Sequence, residues 1–302
     1  MGVMVGKAQY EDRYWFSGDG LRLHYRDYTG QKDGAGPKAV GARKHRPPIL
    51  CIPGLTRNAR DFEPVANRLA GDWRLICVDL RGRGDSANSP SGLSYTPLIY
   101  LQDLEALLGE LKIKEFIAFG TSLGGIMTMM LAASKPGRVK AALLNDIGPV
   151  IESAGLDRIR ATVGKAQNWP TWVHAARDLA DTQVDIYPGY GLDQWITMAK
   201  RLNRLTPAGR IVPAYDRKIA EPMKAQAEAV DLWPAYAALG SVPVTILRGA
   251  SSDILSATTA KSMAMQLPNA KLVTVPGVGH SPALDEAVSL RAIDALLKAA
   301  EA

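Results

Sequence analysis

"EFIAFGTSLGGIMTMMLAASKP", residues 115–136, begins as a compact apolar run, narrows to small residues, and continues as an amphipathic helical pattern. Read as a strand passing sharply into a helix, it leaves Ser122 at the apex of the turn. Such an apex is a strained backbone position, and small residues two before and two after it, here Gly120 and Gly124, keep the crossing free of clashes. The helix that follows directs its N-terminal dipole at the same point, which favours developing negative charge. Ser122 is therefore a candidate nucleophile, provided that the chain also supplies a base.

Compact apolar runs alternate with helical patterns on both sides of this stretch. Ahead of it come "PILCIPG" (48–54), "ARDFEPVANRLA" (59–70), "WRLICVDL" (73–80) and "LIYLQDLEALLGELKI" (98–113); after it comes "VKAALLNDIG" (139–148). Apolar runs without alternation suit strands buried on both faces, as in a parallel sheet. In the 98–113 stretch Leu98, Leu101, Leu104, Leu108 and Leu111 fall at spacings of three and four, the stripe of one helix face. "LRLHYRDY" (21–28), after the turn-forming "SGDG" (17–20), alternates instead and predicts a hairpin at the start.

The rhythm breaks near Pro149. Residues 149–238 read as a helical insertion punctuated by "WPTW" (169–172), "YPGYG" (187–191) and "TPAG" (206–209). Strand and helix signals then return with "VPVTILRG" (242–249), a helix over 256–267, "AKLVTVPG" (270–277) and a closing helix from about Ala283. The division is thus 1–148 and 239–302 for an α/β core, with 149–238 inserted.

Bulk properties exclude more than they assign. A chain of 302 residues with 47% hydrophobic content can bury a sizeable core. The net charge of +6 owes much to "QKDGAGPKAVGARKHRPP" (31–48), a Gly-, Pro- and Ala-rich stretch that reads as a solvated loop. Its Lys38, Arg43, Lys44 and Arg46 lack the interleaved aromatics or reading helix of a nucleic-acid site. Cys51 and Cys77 sit in apolar runs as inert core thiols. The opening residues carry charges where a signal peptide needs an apolar run, Gly6 defeats a myristoylation reading of Gly2, and no window of 18 apolar residues occurs, so a cytoplasmic address without a membrane span is expected.

A serine hydroxyl needs a base, and of His24, His45, His174 and His280 only His280 follows a predicted strand on a glycine-flanked loop, in "VPGVGHSPALDE" (275–286). Loops at that edge are where open α/β sheets place their sites. The acid that orients the imidazole is expected to be Asp253, in "LRGASSDILS" (247–256), just past the preceding strand. Asp146, in "LLNDIGP", ends an earlier strand and is the rival, with a junction to the insertion as its blander role. Backbone N–H groups of Leu123 and Leu55 are the expected donors to an oxyanion.

"IPGLTRN" (52–58), "DLRGRGDS" (79–86), "GTSLGG" (120–125), "RGASSDILS" (248–256) and "GVGHSPALDE" (277–286), in this order, resemble the α/β-hydrolase family, in particular its capped branch of esterases, enol-lactonases and meta-cleavage-product hydrolases. The order Ser122, Asp253, His280 matches that family's. The resemblance implies a mostly parallel eight-stranded sheet flanked by helices, with a helical cap inserted after strand 6. Trp169, Trp172, Tyr187, Tyr190, Trp195, Met198 and Trp233 of the cap would line an apolar pocket, or else pack cap helix on cap helix. One departure stands out: Pro53-Gly54 replaces the usual His-Gly of the oxyanion loop.

The expected activity is hydrolysis of a small, largely apolar carboxylic ester or lactone through an acyl-Ser122 intermediate. C–C bond hydrolysis of a vinylogous diketone is the runner-up within the family, cofactor-free oxygenation a smaller one. Ser122 at the apex disfavours the aspartate-nucleophile dehalogenases and epoxide hydrolases. From a different class, a non-catalytic binder of a hydrophobic ligand needs none of the three residues in register. There is no H-E-x-x-H, no paired C-x-x-C and no nucleotide fingerprint, and Gly82 and Gly84 of "DLRGRGDS" are read as shaping a turn near the pocket, so neither cofactor nor metal is expected. The partner would be a small-molecule ester or lactone, with no nucleic acid or membrane, and oligomeric state is not readable.

Overall fold

A computed structural model describes residues 8–29, 46–224 and 230–301. Its centre is an eight-stranded sheet in the order β1-β2-β4-β3-β5-β6-β9-β10. The hairpin of β1 (Glu11–Phe16) and β2 (Arg22–Tyr28) joins antiparallel to β4 (Leu75–Asp79). From β4 on, β3 (Ile49–Ile52), β5 (Phe116–Thr121), β6 (Val139–Asn145), β9 (Val244–Gly249) and β10 (Ala270–Val275) run parallel. The mostly parallel, doubly covered sheet expected from the unbroken apolar runs is what forms.

Side chains of one strand alternate between two cores, which is why those runs show no polar positions. Leu50 and Ile52 enter one cluster with α2 (Pro97–Glu110), α3 (Leu123–Ser134), α8 (Trp233–Ala237) and α9 (Ala257–Gln266). Ile49 and Cys51 enter the other, with α1 (Glu63–Leu69) and α10 (Ala287–Ala300). Leu101, Leu104, Leu108 and Leu111 of the expected stripe pack on the core with Tyr100 and Leu107, whereas Leu98 is exposed at the first turn of α2. Cys51 and Cys77 are free, buried register partners on β3 and β4, and burial holds the Cys51 thiol well above its ordinary range.

The segment after β6 departs from an all-helical reading. Besides α4 (Ser153–Thr162), α5 (Trp172–Gln183), α6 (Leu192–Leu202) and the short α7 (Glu221–Lys224), it contains an antiparallel pair, β7 (Asn203–Leu205) with β8 (Ile211–Pro213). The "TPAG" breaker is its turn, closed by Thr206 N–H to Arg210 O at 2.8 Å with Gly209 at φ +72°. Three residues per strand of mixed polarity are too short to carry a period-2 signal. The segment is tied to the loop after β4 by main chain: Asp216 N–H reaches Gly82 O at 2.7 Å and Gly84 N–H reaches Ala214 O at 2.8 Å.

Of the basic stretch, Lys38, Arg43, Lys44 and also His45 lie outside the described residues. Arg46 stacks over Trp73 at 4.6 Å and pairs with Glu301. No described helix is long and apolar enough to cross a membrane.

Candidate active site

Ser122 stands between β5 and α3 at φ +52°, ψ −117°, the strained apex that the sequence pattern requires. The glycines beside it are there for space. A Cβ on Gly120 would lie 2.3 Å from Gly124 O, and one on Gly124 only 1.9 Å from Ile52 O, so strand and helix could not cross with any larger residue. Ser122 is also the helix N-cap, yet its hydroxyl does not cap the helix. Instead Ser122 Oγ lies 3.0 Å from His280 Nε2.

His280, on the loop after β10, has its other ring nitrogen, Nδ1, 2.7 Å from Asp146 Oδ2. The carboxylate beside the imidazole is thus Asp146, and Asp253 is not in that place. Asp253 turns away to α4, where both its oxygens accept from Arg158, Nε at 2.6 Å and Nη2 at 2.8 Å, and this pair lowers the Asp253 pKa. The strand order explains the exchange. β6 lies between β5 and β9, so the residue ending β6 sits directly between the apex serine and the β9 side of the cleft, whereas Asp253 is already four residues past β9.

Asp146 is fully buried and takes φ +58°, which turns its side chain under the histidine loop. Three further contacts hold it: its own N–H donates to Leu247 O at 2.8 Å, Oδ1 accepts from Gly249 N–H at 2.7 Å, and Oδ2 accepts from Ser252 Oγ at 2.6 Å. A carboxylate so desolvated is tolerable only with its lone pairs satisfied. With a carboxylate as acceptor, the neutral tautomer that fits both contacts has its proton on Nδ1 and the lone pair of Nε2 toward Ser122.

Leu55 follows Gly54 on the loop after β3, and Leu123 opens α3. Among the described residues neither N–H donates to a protein acceptor. The Pro53-Gly54 loop, which lacks the family's histidine, is braced from behind by Arg83. That side chain is 1% exposed; Nε donates to Leu55 O at 2.8 Å, Nη1 donates to Arg81 O at 2.7 Å, and its guanidinium lies 4.7 Å over the Tyr100 ring. "DLRGRGDS" therefore does more than turn the chain, although Gly82 and Gly84 do adopt φ +72° and +53°. The sequence signalled Arg83 only as the residue between two turn glycines.

A cavity of about 380 Å³ opens over Ser122 and His280, bounded by the loop after β3 and by α4, α5 and β8. Of the six aromatics and one methionine expected to line it, Trp169 and Tyr187 do. Tyr190 stacks on Tyr187 at 4.7 Å and meets Trp195 edge-on at 5.2 Å; Trp195 and Met198 are buried between α5 and α6, with Trp172 against the same cluster. Trp233 packs on Tyr236 at 6.0 Å. The lining is mixed rather than apolar, with Arg57, Arg158, Lys165 and Asp178 among its residues.

The other described histidines have separate engagements. His174 accompanies Thr171 at the exposed start of α5. His24 is buried with Asp79 at 2.7 Å and Asp12 at 2.9 Å, and with Asp85 it forms the metal-type donor cluster found among the described residues. Asp79 already accepts from Ala59 N–H at 2.7 Å and Asp85 N–H at 2.9 Å, so the cluster is accounted for as a hydrogen-bond hub joining β2, β4 and the 80–86 loop.

Comparison with known proteins decides the family. A profile of the alpha/beta hydrolase family matches residues 49–292. The chain belongs to that family. Among curated relatives, 3-hydroxybutyrate-oligomer hydrolase of Cupriavidus necator is 31% identical over 86% of this chain and 88% of its own length. The 2-(acetamidomethylene)succinate hydrolase of Mesorhizobium japonicum is 30% identical over 78% and 81%. A crystal structure of an alpha/beta hydrolase from Novosphingobium aromaticivorans superposes with a TM-score of 0.89 at 52% identity, covering 97% of this chain and 99% of that one. This hydrolase is thus an enzyme of a fold whose relatives act on small molecules.

Proposed function

We propose that the protein is a serine hydrolase of carboxylic esters, with Ser122 as nucleophile, His280 as general base and then acid, and Asp146 as the residue that holds the imidazole. The observation that carries this reading is the continuous chain Ser122 Oγ to His280 Nε2 to Asp146 Oδ2, at 3.0 and 2.7 Å, on the wall of the cavity.

Ser122 Oγ attacks the ester carbonyl carbon while His280 Nε2 takes its proton. The carbonyl oxygen becomes an oxyanion facing the N–H groups of Leu55 and Leu123, which among the described residues have no other acceptor and so need not reorganise. Collapse breaks the bond to the alcohol oxygen, and His280 returns the proton to that leaving group. Water then adds to the acyl-Ser122 carbonyl with His280 again as base, releasing the carboxylic acid and the free serine. Residues 149–238 act as the cap, supplying α4, α5 and β8 to the cavity walls and excluding bulk water. The two relatives named as hydrolases of a hydroxybutyrate oligomer and of a substituted succinate support a small acyl compound as substrate. A pure binding role would leave the three-residue register without a use.

The test is hydrolysis of p-nitrophenyl esters of graded acyl length by wild type, Ser122→Ala and His280→Ala. Turnover of short esters by wild type, reduced by about 1,000-fold or more in both variants, is the expected outcome. Full activity in either variant contradicts the mechanism.

A further inference from the structure

Three cationic side chains line the cavity, Arg57, Arg158 and Lys165, against the single carboxylate of Asp178. They are not equivalent. Arg158 is spent, since Asp253 engages its Nε and Nη2 side by side. Lys165 is exposed at the rim. Arg57 differs from both. It lies two residues beyond Leu55, and its Cγ and the Cβ of Ser122 come within 3.2 and 3.6 Å of the point where a Cβ on Gly54 would sit. Its stem and the serine thus flank the same point at Gly54, on the wall of one cavity.

At its far end Asp61 grips the guanidinium through Nε alone. Among the described residues Nη1 and Nη2 have no acceptor, although the side chain is three-quarters buried. A guanidinium offers five donors in a fixed fork, and the edge formed by its two Nη groups matches the two oxygens of a carboxylate. A partner group at this edge would be partly desolvated and flanked by Tyr187, where a charge-assisted pair is worth more than on the surface. The one carboxylate on the wall is Asp178, whose carboxyl burial and the neighbouring Asp181 push upward.

We propose that Arg57 binds a carboxylate carried by the substrate, so that the preferred substrates are anionic half-esters rather than neutral esters. This rests on the serine-hydrolase reading above and narrows its substrate class. It also replaces the expectation of a largely apolar substrate with a bipolar one: an ester at Ser122 and an anion a few bonds away at Arg57.

Two pairs of isosteric esters test it, assayed by acid release at constant pH. In monoethyl succinate and ethyl 4-oxopentanoate the carboxylate and its neutral methyl-ketone counterpart lie on the acyl side; in 4-acetoxybutanoate and 5-acetoxy-2-pentanone they lie on the alcohol side. Wild type should favour the anionic member of at least one pair by about tenfold or more in kcat/KM. That ratio should fall close to one in Arg57→Met and recover in part in Arg57→Lys, which keeps a charge opposite Asp61 and guards against a variant that merely fails to fold. Equal or better use of the neutral members by wild type, or a ratio unchanged in Arg57→Met, overturns the proposal while leaving the hydrolase reading intact. Wild-type protein that cleaves none of the four esters and takes no fluorophosphonate at Ser122 overturns both.

Discussion

Asp146 Oδ2 meets His280 Nδ1 at 2.7 Å although 134 positions separate the two residues, and Asp253, 27 positions from His280 and also in a loop after a strand, does not take part. Asp146→Asn should lower kcat by about 10,000-fold, because an amide in that place stabilises the wrong tautomer and no imidazolium. Asp253→Asn breaks a half-exposed ion pair with Arg158 and should change kcat/KM by about fivefold at most. Side-by-side ester kinetics of the two variants separate the assignments; a larger loss in Asp253→Asn would return the role to that residue.

Arg83 holds Leu55 from behind, and its removal should be read in kcat rather than KM. Loss of an oxyanion donor lowers kcat by about 100- to 1,000-fold, and a donor left in place but no longer braced should give a smaller loss, about tenfold to 100-fold, in Arg83→Met. Arg83→Lys restores charge but not the planar fork that spans Leu55 O and Arg81 O, so its rescue should be incomplete. A purely structural role would lower melting temperature and leave kcat of the folded fraction unchanged.

Gly124→Ala tests the crossing of β3 and α3. Helix propensity alone favours alanine by about 1 kcal/mol, yet its Cβ would stand 1.9 Å from Ile52 O. The clash outweighs propensity, and urea unfolding should show a loss of about 3 kcal/mol or more. A stabilised variant would contradict the geometry.

His24 carries a pH signature. Burial alone would lower its pKa, but hydrogen bonds to Asp79 and Asp12 and the charges of Asp79 and Asp85 raise it above the ordinary value of about 6.5. A raised folded-state pKa gives stability that is fully present below about 6.5 and lost as pH climbs through the folded value. Unfolding free energy of wild type relative to His24→Gln should therefore shrink as pH is raised above about 6.5 in denaturant titrations. A difference that grows with pH would reverse the assignment.

What the sequence made legible follows the range of the interactions involved. The apex at Ser122 is local, written in two glycines and a strand-to-helix change of period, and so could be read directly. His280 was legible by elimination among four histidines. The carboxylate that meets His280 was not, because Asp146 and Asp253 both follow strands and both lie between Ser122 and His280 in the chain; the lateral order β5-β6-β9 places Asp146 nearer. The aromatics of residues 149–238 were ambiguous for a related reason. Trp195 and Met198 share a helix whose buried face could equally have met a ligand or another helix, and it meets α5. Arg57 and Arg83 lie inside the quoted motifs "IPGLTRN" and "DLRGRGDS", but nothing in those motifs marked either side chain, since their meaning lies in contacts across the fold.

The central claim is that Ser122 is an activated nucleophile within the Ser122, His280 and Asp146 chain. The most direct test is intact-mass analysis after fluorophosphonate treatment of wild type, Ser122→Ala and His280→Ala. A single adduct on wild type, absent from Ser122→Ala and slowed in His280→Ala, is the predicted result. Labelling of Ser122→Ala at the wild-type rate, or no adduct on folded wild-type protein, would contradict it.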